Sequence, residues 1–401
     1  MNAIDLLQSR GFIKQIVYKD ELYEKLNKES VVYYVGFDPT ADSLHIGHFV
    51  PLMAMKHMQN CGHKPIILIG AGTAMVGDPS GRTDMRSIMT KEIIKKNSLA
   101  FKKQMSRFLS FEGPNAAIMV NNADWLLELN YVDFLRDVGA LFSVNKMLTA
   151  ECFKQRLEKG LSFLEFNYML MQSYDFLILH DKYKCSLQLG GDDQWSNILQ
   201  GADLIRRKTG DVAYALTTSL LVTSEGKKMG KTSKGALWLD SEKTPPYDFY
   251  QYFRNVSDED VENCLKLLTF LELSEIENLT MFKDERINAA KAKLAYEVTK
   301  LIHGEESAKE CEKMAKAAFS DNAEHMPNIK LEKSCVKILD VLVAVAAAPS
   351  KSEARRLIDG GGVYINDTKV TDVNFELPED LIKEGFILHK GKKMHLKITY
   401  V

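Results

Sequence analysis

Between Val31 and about Leu220 the chain alternates two patterns that few architectures accommodate. Short β-branched or apolar runs (VVYYVGF, PIILIGAG, AAIMVNNAD, SLQLGGDD, YALTTSLL) are separated by longer stretches of helical character. Examples are HFVPLMAMKHMQNCG, KEIIKKNSLAFKKQMSRFLSF and QWSNILQGADLIRRKTG. A strand that is apolar throughout has both faces buried, which requires helices on either side of a parallel sheet. The pattern predicts an α/β, doubly wound domain over 1–220, with ligands outside the carboxyl ends of its strands.

After residue 220 the pattern changes. From Thr244 to about Ser320 the strand signal vanishes and amphipathic segments dominate (DEDVENCLKLLTFLELSEIENL, INAAKAKLAYEVTKLIHGEESAKECEKMAKAAF), so 221–320 read as a loop followed by a helical domain. Residues 321–330, DNAEHMPNIK, are polar and proline-containing, as a linker is. The remaining 331–401 read as a small α+β unit. VKILDVLVAVAAA is a helix stopped by Pro349, and Ser350 opens a second helix with a capping box closed by Glu353. That helix carries Lys351, Arg355 and Arg356 largely on one side and ends at Gly360, Gly361 and Gly362. VYINDTKV follows as a strand with a turn at Asn366–Asp367.

The chain's 401 residues are 45% hydrophobic and 26% charged, which excludes a disordered or collagen-like protein. A formal charge of −2 argues against a dedicated nucleic-acid binder, but the average hides local structure. Residues 330–401 hold twelve Lys and Arg against ten Asp and Glu, clustered on the capped helix and in HKGKKMHLK. The six cysteines form no C-x-x-C pair, so neither a zinc knuckle nor a thioredoxin-type site is indicated, and they read as thiols of a reducing compartment. The N-terminus lacks a signal peptide's apolar region, and the longest apolar stretch, Val341 to Ala348, falls short of the roughly 20 residues of a membrane span. The expected location is cytoplasmic.

Two segments carry chemistry. The first strand leads into Asp38-Pro39-Thr40-Ala41-Asp42-Ser43-Leu44-His45-Ile46-Gly47-His48. Two histidines at i and i+3 stand where a helix begins, since FVPLMAMKHM is helical and Pro51 is tolerated in a first turn. A helix N-terminus offers unpaired N–H groups and a positive dipole end to phosphate. Imidazoles there can hydrogen-bond phosphate oxygens, and Gly47 leaves room for a flat ring. Alone, the pair fits a metal site or two loop histidines equally well. The second segment, Gly226-Lys227-Lys228-Met229-Gly230-Lys231-Thr232-Ser233-Lys234, is a cationic loop whose Lys228 and Lys231 can neutralise charge developing on a leaving pyrophosphate. It is not a Walker A loop, because Gly226 and Gly230 enclose three residues and position 225 is glutamate. Gly70-Ala71-Gly72-Thr73-Ala74-Met75 likewise breaks the dinucleotide fingerprint at Met75.

Together the two segments place cations on both sides of one nucleotide site, and here the sequence resembles a known family. HIGH at 45–48 matches the first signature of class I aminoacyl-tRNA synthetases, and KMGKT at 228–232 is a variant of their second, K-M-S-K-S. Tyr34-x-Gly36-x-Asp38, GDPSGRT at 77–83, YMLMQSYDF at 168–176 and GGDDQW at 190–195 resemble the bacterial-type tyrosyl-tRNA synthetases, over essentially the whole chain.

The resemblance implies a Rossmann-like catalytic domain, a helical anticodon-binding domain and a C-terminal RNA-binding domain. It implies ATP-dependent ligation of L-tyrosine to tRNA(Tyr) through tyrosyl-adenylate, with magnesium entering with ATP and no protein-bound metal. The partners implied are tRNA and a second subunit in a homodimer, with no membrane. By motif, Thr40, His45, Lys228, Lys231 and Thr232 would act on the pyrophosphate, with Arg82 and Arg86 assisting. Gly36, Asp38, Gly47, His48, Gly191 and Asp193 would hold ATP, Asp193 through its ribose, and His48 also counts as catalytic. Tyr34 and Asp175 would meet the phenol, Asp78, Tyr168 and Gln172 the α-amino group, and Gln194 the carboxylate. Lys351, Arg355 and Arg356 would meet tRNA phosphates, and Asn122 and Trp125 the acceptor end. Gly230 and Thr232 replace the loop's consensus serines, Arg82 stands where lysine is common, and Asp192 adds a carboxylate near the ribose site. An H-x-G-H nucleotidylyltransferase shares the first motif and the adenylyl transfer. It lacks a lysine loop followed by helical and RNA-binding domains.

Overall fold

The computed structural model describes residues 2–80, 89–158, 160–232, 235–317, 328–345, 347–366, 368–391 and 394–401, and divides into two compact units, Met1–Ile302 and His303–Val401. In the first unit, β1 (Ile13–Ile16), β2 (Val32–Phe37), β3 (Lys64–Ile69), β4 (Ile118–Asn121), β5 (Cys185–Gly191) and β6 (Tyr214–Thr218) form one sheet in the order β1-β6-β5-β2-β3-β4. Strands β2 to β6 are parallel, and β1 runs antiparallel along β6. The five parallel strands are the five apolar runs of the sequence, so the α/β, doubly wound expectation holds. β1 carried no such signal: its sequence, IKQI, alternates, as suits an edge strand with one neighbour. After β4 the chain crosses to the other side of β2 and enters β5, and this switch opens a crevice at the carboxyl ends of β2 and β5.

The helix Ile46–Asn60 covers the sheet with buried Phe49, Leu52, Met53 and Met58. Because it begins at Ile46, Pro51 falls in the second turn, not the first, which removes the bond to the Gly47 carbonyl. The later part of the unit contains the short hairpin β7 (Lys231–Thr232) and β8 (Gly235–Ala236), then the helices Pro246–Arg254, Val261–Leu268, Leu273–Thr280 and Ile287–His303. Position 220 marks a change of secondary structure, yet packing continues across it. The buried Arg10 guanidinium donates to the carbonyls of Lys266 (2.9 Å), Thr269 (2.5 Å) and Leu271 (2.9 Å). Three backbone acceptors satisfy a cation that is costly to bury.

The second unit contains a five-stranded sheet ordered β11-β10-β12-β13-β9, made of β9 (Asn328–Leu331), β10 (Val363–Ile365), β11 (Thr368–Lys369), β12 (Phe386–Lys390) and β13 (Met394–Tyr400). Residues 328–330, read above as linker, belong to β9 and pair in parallel with β13, while 321–327 lie outside the described residues. Ile338, Leu342, Val363, Leu388 and Ile398 form its core. The helix Lys351–Asp359 is capped as expected by Ser350, whose hydroxyl accepts from the Glu353 amide at 3.3 Å. Its capping box stays half made, because the Glu353 carboxylate accepts from Arg356 Nη1 at 3.3 Å. Among the described residues no helix is long and apolar enough to cross a membrane.

Candidate active site

A cavity of about 710 Å³ opens at the switch point and is lined by residues from β2, β5, the loop after β6 and the helix Tyr168–Tyr183. On that helix, Tyr168, Gln172 and Asp175 stand at i, i+4 and i+7 and line one side of the cavity. Gly36 leaves part of β2 bare: its nearest neighbour within reach of an added Cβ is Leu68 Cδ2, at 3.9 Å.

At the deep end, the Asp175 carboxylate is fully buried. One oxygen accepts from Trp125 Nε1 at 2.7 Å and the other from Asn122 Nδ2 at 2.9 Å. Burial pushes this carboxyl up to about 8, against the opposing pull of those two donors. Among the described residues, the Tyr34 hydroxyl is buried without a hydrogen-bond partner, and so are Oε1 of Gln172 and Oε1 of Gln188. Burial, and then the neighbouring Asp175 charge, push the Tyr34 phenol well above its ordinary value. Buried polar atoms without partners are rare and costly, so three lining one cavity point to a polar ligand that supplies them.

A hydrogen-bonded chain runs from there to a second carboxylate. Asn122 Nδ2 donates to Thr73 Oγ1 (3.0 Å), Thr73 donates to Asp38 Oδ1 (2.7 Å), and the Tyr168 hydroxyl donates to Asp38 Oδ2 (2.9 Å). Gly70 makes this close approach feasible, since a Cβ there would lie 2.0 Å from Asp38 Oδ1. A third carboxylate, Asp78, accepts from the Ser80 amide (2.8 Å) and from Gln194 Nε2 (2.7 Å). Asp38 and Asp78 thus bring two more carboxylates to the cavity wall.

At the outer end stand the histidines. His45 is the N-cap of Ile46–Asn60, its Nδ1 accepting from the Gly47 amide at 3.0 Å, while His48 Nδ1 accepts from the His45 amide at 3.2 Å. The rings stack with centroids 4.0 Å apart. A Cβ at Gly47 would meet His45 Cε1 at 2.8 Å, so the histidine's own ring sets the need for glycine. The expectation that this helix end presents its amides openly to phosphate is thus corrected: the Gly47 amide is already taken by an imidazole. Thr40, Lys228, Gly191 and Asp193 line the same cavity. Burial and the nearby Asp78 raise the Asp193 carboxyl, and Lys228 opposes this.

The sequence matches the family described as tRNA synthetases class I (W and Y) over residues 26–320, and the tyrosine–tRNA ligase SYY-like C-terminal domain over 318–398. It is 58% identical to a tyrosine–tRNA ligase of Clostridium botulinum, over 100% of this chain and 99% of the relative, and 57% identical to tyrosine–tRNA ligase 1 of Clostridium acetobutylicum, over 99% of each. The chain belongs to the class I tyrosine–tRNA ligases. Its fold is similar to that of a C-terminally truncated mitochondrial tyrosyl-tRNA synthetase of Aspergillus nidulans, with a TM-score of 0.72 and 30% identity over 79% of this chain and 94% of that one. These likenesses leave no place for the nucleotidylyltransferase alternative.

In this synthetase, Tyr34, Gly36, Asp38, Thr40, His45, Gly47, His48, Asp78, Tyr168, Gln172, Asp175, Gly191, Asp193, Gln194 and Lys228 all line the one cavity. Arg82 and Arg86 lie outside the described residues, and Lys231 and Thr232 are described by their backbone, as β7. Asn122 and Trp125 are corrected. They are 0% and 9% exposed and bonded to Asp175, so they hold the pocket wall and do not face a tRNA acceptor end. One Asp192 carboxylate oxygen accepts from Gln15 Nε2 (2.6 Å) and Thr217 Oγ1 (3.1 Å), tying the turn before Asp193 to β1 and β6. Sequence reasoning missed Thr73 and Gln188. Gln188, two residues before Gly190 on β5, faces the cavity by strand periodicity, a signal available in the sequence; Thr73 offered none.

In the second unit, Arg355 is exposed and Arg356 is 77% exposed, while Lys351 pairs with Asp340.

Proposed function

We propose that this cavity activates L-tyrosine and that the chain then charges tRNA(Tyr) with it. In the first step an oxygen of the tyrosine carboxylate attacks the α-phosphorus of ATP, the bond to the β-phosphate oxygen breaks, and pyrophosphate leaves. In the second, a hydroxyl of the tRNA's terminal ribose attacks the carbonyl of tyrosyl-adenylate and AMP leaves. ATP enters as its magnesium complex, the ion being carried by phosphate oxygens.

The observation that carries this reading is the unpartnered Tyr34 hydroxyl beside the Asp175 carboxylate at the closed end of the cavity. A ligand phenol satisfies both, donating to Asp175 and accepting from Tyr34, and phenylalanine satisfies neither. Asp78, Tyr168 and Gln172 then take the ammonium group and Gln194 lies near the carboxylate, while Asp38, read above with the nucleotide, is reassigned to the ammonium side because the Tyr168 hydroxyl donates to it. His45, Thr40, Lys228 and Lys231 stabilise the pyrophosphate as its charge develops, with Arg82 and Arg86. His48, Gly47, Gly36, Gly191 and Asp193 hold the nucleotide. ATP–pyrophosphate exchange measured across the twenty amino acids is expected to respond to tyrosine alone. Exchange driven by another amino acid overturns the pocket reading, and no exchange at all overturns the enzyme.

A homodimer fits a run of apolar side chains on the surface of the first unit. Leu127, Tyr131, Val132, Val144, Leu157 and Phe163 are all exposed, Val132 at 67% and Phe163 at 70%. A two-fold dimer is the commonest assembly of soluble chains and would cover such side chains. The double substitution Val132→Asp, Phe163→Asp is expected to halve the mass seen by light scattering. A wild-type protein that is already monomeric contradicts the dimer.

A further inference from the structure

The second signature segment is held from behind by a residue outside every motif. Gly230 sits where three contacts cross. Its N–H donates to the Tyr252 hydroxyl (2.7 Å), its carbonyl accepts from the Leu237 amide (2.7 Å), and a Cβ on it would lie 2.0 Å from Ile46 Cγ2. Its φ of +80° is a conformation that glycine adopts without strain, which accounts for glycine where the family consensus has serine. The segment 237–239 pairs in turn with the first signature: the Ile46 amide donates to the Leu237 carbonyl (3.0 Å), and the Leu239 amide to the Leu44 carbonyl (2.9 Å). The two signatures are therefore tied backbone to backbone through Gly230, and Tyr252 fastens that crossing to the helix Pro246–Arg254.

Neighbouring contacts hold the same loop. Met229 is 8% exposed with Sδ 3.8 Å from Cys264 Sγ, and the Ser224 amide donates to the Asp260 carboxylate at 2.7 Å. Lys228, between these anchors, lines the active-site cavity. Behind the loop lies a second cavity of about 610 Å³, lined by Tyr252 and Met229 among others. Tyr252 and Met229 thus have this cavity beside them, and the Gly230 amide is left without its acceptor when the Tyr252 hydroxyl is removed.

We propose that Tyr252 is a positioning residue for tyrosine activation: its hydroxyl fixes the Gly230 amide and so holds Lys228 where the pyrophosphate leaves. This rests on the pyrophosphate role given to Lys228 above. The test is Tyr252→Phe in the full chain, which keeps the ring and removes the acceptor. ATP–pyrophosphate exchange is expected to lose about two- to tenfold in kcat, the effect of one net hydrogen bond. The dissociation constant of tyrosine, measured by equilibrium dialysis, is expected to stay unchanged. Trypsin is expected to cut after Lys227 and Lys228 faster relative to its other sites, a readout that general destabilisation does not single out. Unchanged exchange, or exchange that falls in step with tyrosine affinity or with Tm, overturns the proposal. Lys228→Ala separates the two levels. If it leaves exchange intact, the role of the lysine fails; if it abolishes exchange while Tyr252→Phe is silent, the positioning role alone fails.

Discussion

Replacing Asp175 by alanine is expected to lower kcat/KM for tyrosine in ATP–pyrophosphate exchange by about a hundredfold or more. The substitution removes the charged acceptor for the substrate phenol, takes away the Trp125 indole's acceptor and leaves the Asn122 amide with Thr73 Oγ1 alone. The carboxylate also makes tyrosine binding depend on pH, and the sign follows from its titration. Burial raises this carboxyl from 3.8 to about 8 in the empty pocket. An unfolded chain thus sheds the proton near pH 4 while the folded chain keeps it to about pH 8. This group's contribution to the stability of the free protein therefore declines as pH climbs through that window. A phenol that donates to Asp175 favours the ionised form, so tyrosine affinity is expected to strengthen as pH rises from about 6 toward 8 and then to level off. Calorimetric titration of tyrosine across that range is the check. A flat profile in the wild type, or the same slope in Asp175→Asn, contradicts the assignment.

Deleting residues 318–401 is expected to leave tyrosine-dependent exchange within about twofold and to lower the charging of tRNA by about a hundredfold or more. The cavity residues all lie within Met1–Ile302, and the Aspergillus nidulans relative was crystallised in a C-terminally truncated form. If the cations of Lys351–Asp359 meet tRNA phosphates, the KM for tRNA in the full chain is expected to rise steeply with salt. The cut is placed at 318 because β9, beginning at Asn328, is part of the C-terminal sheet, and a cut at 331 strands it. Charging that survives the deletion removes the tRNA role of this unit. Exchange that is lost with it means that the first unit does not fold alone.

The five parallel strands were legible in the sequence by a short-range rule, and the pocket side chains were named through the resemblance of their motifs to the family. A strand buried on two faces must be apolar, and Tyr168, Gln172 and Asp175 share a helix face by spacing alone. β1 was illegible because an edge strand is free to alternate. Asn122 and Trp125 were misread for a different reason. They follow β4, far from Asp175 in sequence, and a polar residue after a strand looks the same whether it faces a ligand, a nucleic acid or a buried carboxylate. The histidines' place at a helix start was legible, but their mutual capping was not, since it depends on ring orientation.

Fold class, the order of the parts and the chemical inventory of the site could be read along the chain, because periodicity, caps and signature spacing are local properties. The tertiary structure decided which groups are already paired: Asp175 by Asn122 and Trp125, Asp38 by Thr73 and Tyr168, Asp192 by Gln15 and Thr217, and Gly230 by Tyr252. It also left the Tyr34 hydroxyl buried without a hydrogen-bond partner among the described residues. Pairing depends on which residues meet after the chain crosses from β4 to β5, and desolvation at that meeting point sets how much each unpaired group matters.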